Sequence, residues 1–262
     1  AYSLFVAGRY SESQTALKDD NVWLEEHIRS YFKNVDHFSY SNITTDPYQF
    51  LMRSIVKKPF VSTAADYGNK VHKGLQNIMK GKTTLGDYSE DEQKSIKNGL
   101  DAVDELKQEY PGLTPLVNAD GTFGVESYEK VSISKITTYA EKDPFFFSGY
   151  IDLIFQHNDG IILVDWKTDK NIGSAAKHKR QLQVYKKMHA EFCNISEDKI
   201  KACVIFVALR GSVNTGKYEK KIDFVTRDTY STFEDHLQKV LEWKKEPTEF
   251  IEKLVEQSNQ DE

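Results

Sequence analysis

Gly149-Tyr-Ile-Asp-Leu-Ile-Phe-Gln-His-Asn-Asp-Gly-Ile-Ile-Leu-Val-Asp-Trp-Lys167 is the stretch that decides how this chain is read. Two apolar runs of strand length flank Asn158, Asp159 and Gly160, residue types that tolerate the dihedrals of a tight hairpin turn. Asp152, Asp165 and Lys167 are charges set in segments otherwise apolar enough to be buried, where charge is costly without a partner. Side chains alternate along a strand, so Asp165 and Lys167 share one face while Val164 and Trp166 take the other. A two-residue turn at Asn158 and Asp159 puts Asp152 opposite Asp165; a three-residue loop with Gly160 bulged shifts the pairing by about one residue. Carboxylates that close repel, and the arrangement calls for a cation between them. Oxygen ligands suit a hard ion such as magnesium, and Lys167 could orient a water or offset developing negative charge. An ion pair at a sheet edge is the plainer alternative for the same three residues.

Composition sets the frame around this hairpin. A chain of 262 residues with 39% hydrophobic and 29% charged residues can bury one substantial core, or one core and a small appendage. There is no run of about eighteen apolar residues and no basic-then-apolar start, so the expectation is a cytoplasmic protein without membrane contact. The two cysteines, Cys193 and Cys203, exclude a disulfide framework and a four-cysteine cluster within this chain. A net charge of -5 argues against coating nucleic acid by charge alone, but leaves room for a local basic patch.

Working outward toward the amino terminus, residues 21–33 carry helical periodicity, and the segment from Ser39 to Phe50 leads into a second helix through Val56 that Pro59 closes. Thr63 is placed to cap a third helix reaching residue 80, with Asp66 three residues on. Val71, Leu75, Ile78 and Met79 form its apolar stripe, and His72 lies at the stripe's margin, where a histidine is more often structural than a ligand. A mostly exposed helix with apolar positions at Ile96, Leu100, Val103 and Leu106 is expected over 90–110, and strands over 116–136 that include Glu126 and Glu129. Toward the carboxyl terminus come a helix from Ser174 to residue 191, a fully apolar strand over 203–209 of the kind buried on both faces, a strand near 221–225 and a helix over 232–245.

The helix after the hairpin adds a second cluster. Gln181 and Tyr185 are four residues apart and share a face. Between Asp165 and Ala190 seven lysines and arginines stand against two aspartates, in a chain that is negative overall. Lys177, Lys179 and Arg180 from this segment, with Lys70 and Lys73 beside His72, form the candidate phosphate-binding surface. A solvated basic helix face is the bland alternative.

Gly149-Tyr-Ile-Asp152, Asp165-Trp-Lys167 and Gln181-Leu-Gln-Val-Tyr185, preceded by Tyr67-Gly-Asn-Lys-Val-His72 and more faintly by Ser39-Tyr-Ser-Asn-Ile and Asp46-Pro-Tyr-Gln-Phe50, together resemble the PD-(D/E)xK nuclease superfamily. The likeness is to its RecB-like and Cas4-like exonuclease branch and spans roughly residues 39–185. It implies an α/β, restriction-endonuclease-like core, a central mixed β-sheet flanked by helices with an N-terminal helical region. The chain would be a single nuclease domain over 1–262: a mainly helical part over 1–115 carrying His72, a core over 116–225 and a C-terminal helical part over 226–262. By the same resemblance Asp152 and Asp165 are metal ligands, joined by His72, by Glu126 with Glu129 as competitor, and by the carbonyl of Trp166. Lys167 is the catalytic lysine, with Gln181 and Tyr185 near the scissile phosphate. Many relatives carry a cysteine before proline as part of an iron-sulfur cluster; here Asp46 precedes Pro47, so the cluster is expected to be absent and its mechanical role met by ordinary packing.

The resulting expectation is a DNA nuclease using Mg2+ or Mn2+, an exonuclease at ends or flaps. Because the branch is often fused to a helicase and the chain begins at Ala1, a helicase domain or subunit is an expected partner. A restriction-type endonuclease and a non-catalytic nucleic-acid-binding module of the same fold are the alternatives.

Overall fold

The computed structural model describes residues 22–58, 62–117, 124–138, 144–158, 160–210, 218–226 and 230–260. In chain order the elements are α1 (Val22–Asn34), β1 (His37–Ser39), α2 (Pro47–Phe50, continued by a π-helical turn over Leu51–Ile55), α3 (Thr63–Met79), α4 (Glu90–Glu109), β2 (Thr114–Pro115), β3 (Val125–Ser132), α5 (Ile133–Ile136), β4 (Phe146–His157), β5 (Gly160–Lys167), α6 (Ala175–Cys193), β6 (Ile200–Arg210), β7 (Tyr218–Phe224), α7 (Tyr230–Lys245) and α8 (Pro247–Gln260). They divide between two compact units. One comprises Val61–Thr138 and Phe147–Tyr230; the other comprises Ala1–Phe60, Tyr139–Phe146 and Ser231–Glu262.

The first unit is an α/β core around a mixed sheet ordered β4-β5-β6-β7, with β2 and β3 also pairing β4. His157 pairs with Gly160, and the antiparallel ladder continues to Leu153 opposite Val164, which is the register of a two-residue turn. Asn158 has φ +48, as such a turn requires; Asp159 lies outside the described residues. From β5 the chain crosses through α6 and returns as β6, parallel to β5 from Ile161 opposite Ile200 to Lys167 opposite Phe206. Residues 202–208 of β6 are all buried, which is why that strand carries no polar residue there. Leu153, Phe155, Val164, Trp166, Cys203 and Ile205 pack with Val71, Leu75 and Ile96 of α3 and α4, so one face of the sheet is apolar throughout. Asp165 and Lys167 project from the other face.

The second unit is held by aromatic packing. Phe50 lies at its centre, 5.7 Å from Phe32, 5.9 Å from Phe38, 5.7 Å from Trp243 and 5.6 Å from Phe250, ring centre to ring centre. All five side chains are fully buried. Asp46 caps α2 by accepting from Gln49 N at 2.7 Å, and its other oxygen accepts from Gln257 Nε2 of α8 at 3.3 Å. Gln257 Oε1 in turn accepts from Tyr48 N. The residue before Pro47 thus joins the start of this unit to its end through ordinary hydrogen bonds.

Two sequence expectations are corrected. Ser62, not Thr63, caps α3, its hydroxyl accepting from Ala65 N at 3.0 Å. Residues 133–136 form a helical turn rather than strand, burying Ile133 and Ile136. The helix expected over 90–110 forms as Glu90–Glu109, with Ile96, Ala102, Val103 and Leu106 as its buried stripe. Replacing Phe50 by alanine should cost about 3–5 kcal/mol in urea unfolding, because the rings around it cannot collapse into the space it leaves. Tyr48→Ala, two residues away at a half-exposed position, should stay within about 0.5 kcal/mol of the parent.

Candidate metal centre

Three elements of the sheet unit converge where β5 ends, the carboxyl end of a parallel pair. From α3, His72 points Nδ1 at Asp152 Oδ2 of β4, 3.5 Å away. The ladder between β4 and β5 runs no further than Leu153 and Val164; beyond it the same Asp152 oxygen accepts the Trp166 amide N–H at 2.8 Å. On β3, Glu126 is brought beside Asp152, and one ligand atom each from His72, Glu126 and Asp152 lies within 4.8 Å of the other two. Gly124 O accepts from Ile154 N two residues earlier, so β3 and β4 run antiparallel and put Glu126 opposite Asp152.

Asp165 stands beside this group rather than in it. Its Oδ2 is 2.6 Å from Lys167 Nζ, and both side chains are largely buried. That oxygen nevertheless has no hydrogen bond of good geometry. The electrostatics follow from three carboxylates sharing one half-buried place. Burial raises the Asp165 pKa to about 6, and Asp152 adds to the rise against the pull of Lys167. Burial also raises Glu126, again with Asp152 contributing and with His72, Lys80 and Lys73 opposing. Asp152 moves the other way: burial works against its charge, but His72, Lys167 and the Trp166 N–H outweigh it. Burial works against charge on Lys167 and His72 as well, yet the carboxylates raise both.

The donor set suits a divalent cation: two carboxylates and an imidazole close together, and a third buried carboxylate oxygen short of hydrogen bonds. A pocket of about 440 Å³ opens onto it, lined by Gly68, Asn69, His72, Lys73, Glu126, Asp152 and Thr168 among others. A profile of the PD-(D/E)XK nuclease superfamily matches residues 37–257, most of the chain. The chain belongs to the PD-(D/E)XK nuclease superfamily. A comparison with curated proteins finds no match. Fourteen solved chains match, among them one described as "Crystal structure of SSO0001", 13% identical, with a TM-score of 0.42, over 84% of this chain and 86% of that one.

Within this superfamily member, two glycines make room for the site. A Cβ at Gly149 would come within 2.8 Å of the Tyr185 ring, and one at Gly68 within 3.0 Å of Thr168 Oγ1. Tyr185 is thereby seated against β4, where its hydroxyl accepts from Gln181 Nε2 at 3.1 Å. Burial raises the Tyr185 pKa to about 12, which keeps the hydroxyl protonated.

Of the two glutamates, Glu126 is the one at the centre. Glu129 is fully buried elsewhere, its Oε1 2.7 Å from Nδ1 of an equally buried His189. The indole of Trp166 belongs to the core, and its backbone N–H is what touches Asp152. Lys179 is paired with Asp223 at 2.5 Å, and Lys70 lies 3.6 Å from Glu92. Lys73 lines the pocket, while Lys177 and Arg180 lie on α6 outside its walls. Sequence reasoning missed Asp169 and His178, which meet at 3.2 Å just past β5. The pKa of His178 is lowered, first by burial and next by Lys167.

Glu126 sits at φ +55, a left-handed conformation that costs a residue with a side chain roughly 1–2 kcal/mol. Glu126→Gly should therefore raise stability in urea by about 1 kcal/mol, while Gly149→Ala should lower it by about 1–3 kcal/mol through overpacking against Tyr185.

Proposed function

We propose that this chain is a divalent-metal-dependent deoxyribonuclease of the RecB-like and Cas4-like branch, without an iron-sulfur cluster, that shortens DNA from its ends. The observation that carries the reading is the convergence of His72, Glu126 and Asp152 beside the Asp165–Lys167 pair, in a chain of nuclease family membership. His72, Glu126 and Asp152 would hold Mg2+ or Mn2+, with Asp165 and the Trp166 carbonyl adjoining; the ion's contribution is to polarise the phosphate and acidify a bound water.

The remaining work falls to the chain's own side chains. Lys167 is held charged by Asp165 and Asp152, and its ammonium offsets the negative charge that grows on the phosphorane oxygens. Because that ammonium is anchored to Asp165 before substrate arrives, little reorganisation is needed as charge develops. Gln181 is steadied by the Tyr185 hydroxyl and presents its amide to the scissile phosphate. Lys73, on the pocket wall, seats the neighbouring phosphate, joined further out by Lys177 and Arg180. Contacts of this kind hold the backbone without reading bases.

The test is digestion of end-labelled linear DNA and closed circular DNA in Mg2+ or Mn2+, with Lys167→Ala and Asp152→Asn alongside. Linear DNA should shorten from its ends while the circle survives, and both variants should lose roughly 100-fold or more in rate with folding intact. Cleavage of the circle would replace the exonuclease reading with an endonuclease. Binding without cleavage in either metal would replace it with a non-catalytic module.

A further inference from the structure

The two strands that carry Glu126 and Asp152 continue into an aromatic step. Tyr128 follows Glu126 by two residues on β3, and Tyr150 precedes Asp152 by two residues on β4. Their rings meet at 5.0 Å with an interplanar angle of 49°. Each tyrosine is two residues along its strand from a carboxylate of the centre, so the pair stands next to the Glu126–Asp152 rung, roughly 6.6 Å along the strands. Both are open to solvent, Tyr128 at 47% and Tyr150 at 58% of their surface, whereas Phe147, Phe155, Trp166 and Phe206 of the same sheet are buried.

An exposed ring pair one rung from a candidate phosphodiesterase centre has the chemistry of a base-stacking platform, because every nucleobase offers a flat π-face and stacking tolerates any sequence. The surroundings match a polyanion. Lys73 and Lys80 lie near enough to Glu126 to lower its pKa, and Lys82 lies near Lys80. In duplex DNA the bases are already stacked on one another and their faces are closed to such a pair. An unpaired strand offers them freely.

We infer that Tyr128 and Tyr150 form a stacking subsite for unpaired bases flanking the scissile phosphate, so that the strand entering the centre is single-stranded or frayed at its end. This deepens the nuclease reading proposed above and rests on it. The phosphate would be held at the rung of Glu126 and Asp152, and the base beside it would lie against the tyrosines about one nucleotide away.

The test measures binding, with calcium in place of magnesium, of a fluorescein-labelled oligothymidine and of an abasic oligomer of the same length. It compares the wild type with the Tyr128→Ala/Tyr150→Ala and Tyr128→Phe/Tyr150→Phe proteins. The wild type should bind oligothymidine about tenfold or more tightly than the abasic strand; the alanine pair should abolish that preference while abasic binding stays within about twofold, and the phenylalanine pair should retain it. Both positions are exposed, so melting temperatures should match the parent's and separate a binding loss from unfolding. A preference that survives the alanine pair, or a wild type without one, overturns the subsite. So does an alanine pair whose only change is in oligomeric state by light scattering, which would make the step an interface between copies. If the wild type cuts DNA but shows one of these results, the subsite alone falls; if it neither binds nor cuts DNA, the nuclease reading falls with it.

Discussion

Three carboxylates brought together in a half-buried place are the constraint around which the sheet unit is arranged. Asp152, Asp165 and Glu126 cannot all be charged there without compensation. His72 and Lys167 divide them: His72 and the Trp166 N–H stabilise Asp152, while Lys167 is drawn to Asp165. Glu126 receives the least help among the three from near partners, and both its carboxyl and its backbone are held away from their relaxed states. Such a concentration of unfavourable features persists when surrounding structure fixes it, and it is the usual mark of a functional centre.

The surrounding structure does fix it. The parallel ladder of β5 and β6 runs through Lys167, so Asp165 and Lys167 are held on regular strand rather than on a loop. The ladder of β4 and β5 gives way to a side-chain hydrogen bond at Asp152, which ties that carboxylate to the backbone of its neighbour. Val71 and Leu75 anchor α3 in the apolar core and so fix the position of His72 between them. Gly149 lets Tyr185 lie against β4, and Gly68 lets α3 approach Thr168. A metal centre built this way depends on packing on the far side of the sheet as much as on its own charges.

Much of this was legible in the sequence because it rests on periodicity. Alternation separated Asp165 and Lys167 from Val164 and Trp166, the turn residues narrowed the hairpin to two registers, and the uninterrupted apolar run at 203–209 gave a strand buried on both faces. What escaped depended on contacts between distant segments or on single dihedrals. The choice between Glu126 and Glu129 turned on His189, sixty residues away, which takes Glu129. Lys179 looked available until Asp223 on β7 was placed beside it. The positive φ at Glu126 has no signature in a strand-like pattern, and α8 was expected only as part of a C-terminal helical region. The aromatic step of Tyr128 and Tyr150 also needs the pairing of β3 with β4 before the two rings become neighbours.

The central claim is that His72, Glu126 and Asp152 together hold a divalent cation, and direct titration tests it without reference to any substrate. Calorimetric titration with Mn2+ should show saturable binding to the wild type, weakened roughly tenfold or more in Asp152→Asn and in Glu126→Gln with the fold retained. A wild type that takes up no Mn2+, or variants that bind it as tightly as the wild type, would contradict the account.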